Sequence, residues 1–367
     1  MTRGSTAQVL SFPGNRIRTT PGGAGGRAVL CTSFAEYRHD PESVFWLKEN
    51  AELLNILECT GADVPTAALA PFQAFYDTVE RRLGFFRPYY RFILSICLDL
   101  EDLGLARHNK GAALARWVGA QGLAQAELSD LQRAEARRLL ARRDVRLDMP
   151  GLDERLHAFA EGSAAFALPN KKIGYELTHL VFYLSEYGRR DPGLSPAALK
   201  SLEYLGLVSF LDQDADLLAE VAIALAYAGA EVPQVWQDWL QRQVAGFEVV
   251  ENGFGGQPDD YHTYFVCNWW QGVAGGQPFW RGLPQGGTLL RRPGGAGVLR
   301  SLSRALYEAE PRGYGDWDVA RRDLAAWLDP GQIEVMERAE ASSQAFGEFF
   351  ALFARSGEAG SLRAGCA

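Results

Sequence analysis

Between residues 174 and 270 the sequence concentrates side chains able to move protons. Glu176, His179, Tyr183 and Glu186 lie three or four residues apart within GYELTHLVFYLSEYG, so on a helix they form one polar stripe. Asp212, Asp214 and Asp216 follow in LDQDADLLAE, and Asp259, Asp260, Tyr261 and His262 open PDDYHTYFVCNWW. A carboxyl in apolar surroundings has a raised pKa that suits a general acid, and a histidine serves as base or metal ligand. Asp214, His179 and His262 are therefore the candidate catalytic groups. Glu176, Tyr183, Asp212, Asp216, Asp260, Tyr261 and Trp269 are the candidate ligand contacts, because aromatic walls hold apolar or sugar ligands. Cys267 lies off the helical face of His262, so no metal and no cofactor is expected.

Each feature also has a plainer role. Aspartates at helix starts cap free N–H groups without further function. A histidine among apolar residues can satisfy a carbonyl or a carboxylate such as Glu176, and Trp269, Trp270, Tyr261, Tyr264 and Phe265 can simply pack a core.

These groups need helices to position them. The stripe helix follows Asn170, a capping residue, and Leu177, Leu180, Val181, Phe182 and Leu184 cover most of its remaining circumference, as in a helix enclosed by protein. Caps and breaks place further helices at about 65–83, 88–103, 109–120, 129–143, 152–167, 195–211, 212–228, 233–245 and 260–271. The first begins near Asp40 and Pro41 and ends before Gly61, and the last three follow a Gly/Pro-rich section, 272–297, anchored by Phe279 and Trp280. No long period-two alternation occurs, so sheet content is expected to be low. Successive helices joined by short loops pack as αα-hairpins. The expected fold is all-α, stacked αα-hairpins closed into an α/α toroid, with a flexible tail over 1–27, one domain over 28–355 and a polar tail over 356–367.

In such an array every other helix shares a layer, which puts the helices beginning at Asn170, Asp212 and Asp260 together. The difficulty is depth. His179 lies about nine residues into its helix, roughly 13 Å, whereas the aspartates and His262 lie near their helix starts.

Composition narrows the function. The chain has 367 residues, 47% hydrophobic and 22% charged, with a net charge of −8, which opposes a generic affinity for nucleic acid or anionic membrane. One basic run, RAEARRLLARRDVR (133–146), carries arginines mostly on one helix side; it reads as a solvated face or, alternatively, as a site for a phosphate-bearing partner. The five cysteines show neither a C-x-x-C pair nor regular spacing, so reduced thiols are expected. No apolar run reaches membrane-spanning length and no secretory leader is evident, and a cytoplasmic location is expected.

FWLKENAELLNILECTG, YYRFILSICLDLEDLG and ELTHLVFYLSEYG resemble an uncharacterised family of all-helical bacterial proteins, which implies the fold and no activity. The DQDAD stretch is similar to the Asp-x-Asp-Asp acid motif of class II terpene cyclases; that likeness makes Asp214 the acid, although Ala215 stands at the fourth position. Toroid glycosidases need two opposed carboxylates, for which Asp212 or Asp214 with Asp260 would serve. Without a specific motif, the sequence favours a noncatalytic binding or scaffold protein holding an unknown small molecule or protein partner in its groove. The alternative is a toroid enzyme doing cyclase- or hydrolase-like acid/base chemistry on an apolar or carbohydrate-like small molecule.

Overall fold

The computed structural model describes residues 24–105, 110–251, 259–284, 286–308 and 316–355. Most of the expected N-terminal tail, the C-terminal tail and Cys366 lie outside them. Helices dominate. The first, α1 (Ala24–Thr32), starts well before the expected Asp40 cap, because Leu30, Cys31 and Phe34 are buried. Next, α2 (Val44–Cys59) is capped by Ser43, whose hydroxyl accepts from Phe45 N. Pro71 sits in a 3-10 turn, Thr66–Phe72, as expected for a residue without an N–H. It is followed by α3 (Gln73–Asp77), α4 (Val79–Phe85), α5 (Tyr90–Asp102), α6 (Lys110–Ala120), α7 (Asp130–Ala141), α8 (Leu152–Ala160) and α9 (Ser163–Phe166).

Side-chain caps fix the central helices. Asn170 caps α10 (Lys171–Leu184), Ser195 caps α11 (Pro196–Leu211) and Asp214 caps α12 (Ala215–Tyr227), each satisfying a backbone N–H that the first turn leaves free. Then come α13 (Gln234–Gly246) and α14 (Tyr261–Val273), and after the Gly/Pro-rich section α15 (Leu299–Glu308), α16 (Trp317–Leu324), α17 (Pro330–Ala341) and α18 (Phe346–Phe353).

That section contributes one of the two strands among the described residues. Strand β2 (Thr288–Arg291) pairs antiparallel with β1 (Glu248–Glu251). Phe279 is its packed anchor, 1% exposed, whereas Trp280 is 43% exposed.

α2 packs on α5, α5 on α7, α7 on α10, α10 on α12, α12 on α14, and α14 on α2. The intervening α6, α8, α11 and α13 each contact two of these, and the helices after Asn170, Asp214 and Asp260 lie side by side, α10 on α12 and α12 on α14. Contacts also give their direction. Tyr175 meets Asp216 and Thr178 meets Glu220 on α10 and α12, while His262 meets Asp216 and Trp269 meets Tyr227 on α14 and α12; these helices run in the same sense. Within α12, every residue from Ala215 to Leu225 except Asp216 is buried, which accounts for its nearly uniform apolar sequence. No described helix is long and apolar enough to cross a membrane.

Candidate functional site

The start of α14 is held in place by an arginine. Arg38, 8% exposed, places Nε 2.7 Å from Glu49 Oε2 of α2 and Nη1 2.8 Å from Asp259 Oδ2, and donates to Thr288 O of β2. Its guanidinium lies 4.6 Å from the Phe34 ring centroid and 5.3 Å from that of Tyr261. A planar fork engaging two carboxylates fixes direction as well as charge, so the first turn of α14 is set against α2.

That placement brings four groups together. His262 Nδ1 donates to Asp216 Oδ1 at 2.8 Å, Tyr175 Oη donates to Asp216 Oδ2 at 2.7 Å, and His262 Nε2 lies 3.8 Å from Glu52 Oε1 of α2. Burial opposes charge on His262, but Asp216 and then Glu52 outweigh it and hold the imidazole up at about 10. The same pair works on Asp216: burial raises its carboxyl, and the hydrogen bonds and charge of His262, with the Tyr175 hydroxyl, bring it below the usual range. Glu52 is pushed up by burial, with His262 opposing, and its Oε2 has no hydrogen-bond partner. Near neutral pH, therefore, His262 is a fixed cation between Asp216 and Glu52.

One helical turn further along, the pattern repeats. His179 follows Tyr175 by four residues and Glu220 follows Asp216 by four, spacings that face each other on neighbouring helices. His179 Nδ1 lies 2.8 Å from Tyr175 O and 3.5 Å from Glu220 Oε2. A carbonyl only accepts, so Nδ1 carries a proton. Thr178 Oγ1 donates to Glu220 Oε2. Glu220 is 2% exposed, and burial raises its carboxyl while the charge of His179 lowers it.

The side chains of Glu52, Asp216 and His262 keep 24%, 16% and 30% of their surface accessible, and that of His179 keeps 34%.

The other sequence candidates are dispersed. Asp214 caps α12 by accepting from Leu217 N and pairs with Lys171 Nζ at 2.7 Å; Asp212 lies 3.8 Å from the same ammonium. Asp260 Oδ2 accepts from Arg292 N near the sheet. Glu176 is half-buried, one residue out of phase with the row Tyr175, His179, Tyr183. Tyr183 is buried beside His179, with ring centroids 6.0 Å apart. Trp269 donates to the Tyr227 hydroxyl and stacks on Tyr187. Tyr261 packs against Arg38 and faces Glu52.

Sequence reasoning missed Glu52, Tyr175, Glu220 and Arg38. Only Glu220 carried a signal, as a lone acid deep in the apolar run of α12. The basic run needs correction. Five of its six arginines are held in ion pairs rather than left as a solvated face: Arg138 pairs with Glu186, Arg142 with Asp99 and Asp102, and Arg143 with Glu101 and Asp102, while Arg133 and Arg137 pair with Asp130 and Asp153; Arg146 is exposed. Among the described residues no group of three or more His, Cys, Asp and Glu side chains is placed to hold a metal ion.

The described chain is thus a mostly helical protein with one two-stranded sheet and a histidine–carboxylate cluster. It belongs to DUF6902, a domain of unknown function, whose family model matches residues 6–356. No curated protein and no solved structure matches it.

Proposed function

We propose that α2, α5, α7, α10, α12 and α14 are the inner ring of an α/α toroid, that Glu52, Asp216, His262 and His179 line a recess within it, and that this protein is an enzyme doing acid/base chemistry there on a hydroxyl-bearing, carbohydrate-like small molecule. The cyclic order of contacts from α2 through α14 and back to α2 supports the ring. One observation carries the activity: Tyr175 and His179 on α10 face Asp216 and Glu220 on α12, rung for rung, with both carboxylates largely covered and the imidazoles of His179 and His262 partly accessible.

In this reading His179 is the base, since its Nδ1 is committed to Tyr175 O and Nε2 is left to accept a substrate proton. Glu220 behind it steadies the imidazolium so formed. Glu52 is the acid, its carboxyl raised by burial and its Oε2 without a hydrogen-bond partner. His262 stays charged and holds Asp216 ionised. Asp214 takes no part in proton transfer, because its carboxylate is committed to the α12 cap and Lys171.

The test is equilibrium dialysis of the purified protein against a metabolite extract, with retained compounds identified by mass spectrometry. Wild type is expected to retain and convert a hydroxyl-bearing compound, His179→Ala to retain it unconverted, and Asp216→Asn to lose it. Identical retention by wild type and both variants, without conversion, would sink the reading.

A further inference from the structure

The corner between α4 and α5 presents apolar surface that the fold does not use. Leu83 and Tyr90 are buried, and every residue between them, 84–89 (GFFRPY), is exposed. Phe85 is 79% exposed, Phe86 38% and Tyr89 39%, and the two phenylalanine rings meet edge to face with centroids 4.8 Å apart. Local chemistry makes the corner. α4 ends at Phe85, Pro88 sits in a 3-10 turn, Arg87–Tyr89, and Tyr90 opens α5, since a proline without an N–H, which also restricts the residue before it, prevents one continuous helix. Two helices anchored by Leu83 and Tyr90 therefore hold three aromatic side chains out in solvent. Single exposed apolar residues need no explanation, whereas a contiguous group marks contact with a protein or a membrane.

The charge beside these rings selects between them. Residues 80–91 (ERRLGFFRPYYR) hold four arginines and one acid. Arg82 is engaged by Glu42, Arg91 by Glu127 and Glu135, and the acid Glu80 by Lys110. Arg81 and Arg87 are exposed, and among the described residues neither has an acidic partner; Arg87 lies over the Trp117 ring at 5.4 Å. The chain as a whole carries −8, but charges more than about 8 Å away are largely screened at physiological ionic strength, so the local sign decides what approaches this corner. A two-fold contact with a second copy would bring the same arginines together. Phenylalanines flanked by arginines and a tyrosine match instead the layering of a bilayer surface, in which acyl chains lie beneath anionic headgroups.

We propose that the α4–α5 corner docks the protein on an anionic membrane surface, with Phe85 and Phe86 entering the boundary between headgroups and acyl chains, Tyr89 at headgroup level, and Arg81 and Arg87 on the lipid phosphates. The contact is peripheral and requires no spanning helix. It is independent of the acid/base reading, because none of the groups assigned to proton transfer takes part.

The experiment is co-sedimentation of the full chain with vesicles of phosphatidylcholine alone, or of phosphatidylcholine and phosphatidylglycerol in equal parts. Binding to the anionic vesicles is expected to be at least tenfold tighter than to the neutral ones. The double variant Phe85→Ser, Phe86→Ser is expected to lose it, and Arg81→Gln and Arg87→Gln each to weaken it about fivefold, the usual effect of one basic residue at an anionic surface. All four positions are exposed, so the fold is expected to persist, with circular dichroism as the check. No binding to either vesicle, equal binding to both, or binding unchanged in the Phe85→Ser, Phe86→Ser variant would overturn the proposal. So would a dimer in sedimentation velocity without lipid that this variant dissociates, which would give the corner to a second copy of the chain.

Discussion

Asp216 governs the electrostatics of the recess, since it accepts from both His262 and Tyr175. Replacing it with asparagine removes the main source of the His262 shift, so the imidazole, held at about 10, is expected to return towards the ordinary histidine value of about 6.5; NMR titration of the ring protons checks this. Stability should follow. The folded pKa exceeds the unfolded one, so the contribution of His262 is complete below about pH 6.5 and is lost as pH rises through 10. Denaturation midpoints of the wild type are expected to fall across that window, and those of Asp216→Asn to change less. Arg38 is a second sensitive residue. Its loss strands Glu49 and Asp259, and Arg38→Ala is expected to cost about 3–5 kcal/mol, the usual penalty for breaking a buried ion pair, measured by urea denaturation. Glu52 was illegible in sequence because Lys48 precedes it by four residues, the signature of an exposed helix pair.

At the level of elements, close approach sets the tolerances. Gly206 of α11 packs against the Trp236 ring of α13 so tightly that a Cβ would overlap the indole, and Trp236 is fully buried with Nε1 bonded to Ser342 Oγ. Gly206→Ala is therefore expected to destabilise by about 1–3 kcal/mol, as overpacking does, despite the better helix propensity of alanine; the thermal midpoint is the readout. The helices themselves were largely legible. Asn170, Ser195 and Asp214 cap the helices their types announced, because capping is local chemistry. The active phase of α10 was not. A stripe through Glu176 and one through Tyr175 differ by about 100° of rotation, and only the position of α12 selects the second. The Asp216 and Glu220 rung escaped for the same reason. His179 does lie well into α10, and the group it meets there is Glu220, inside α12. Strand β2 depends on pairing with residues 40 positions away, which no window of sequence contains.

The whole molecule is joined across its length. Ser33 bonds to Thr288 and Arg38 to Asp259, |i−j| of 255 and 221, and α2 packs on α14. One core cluster runs from Leu30 to Phe353, so unfolding is expected to be one cooperative event: circular dichroism and tryptophan fluorescence should give coincident midpoints. Two separated transitions would mean that α2 and α14 belong to independent units. The long joint also bears on synthesis. Domains assemble from the N-terminus as the chain emerges at about 5–20 residues per second, and Arg38 and Glu49 acquire Asp259 only after more than two hundred further residues. Until then the α14-facing side of α2 has no cover. The cost of closing so long a loop rises only logarithmically with its length, so the delay is one of time rather than of free energy, and a nascent chain stalled before Tyr261 is the species most exposed to chaperones and proteases.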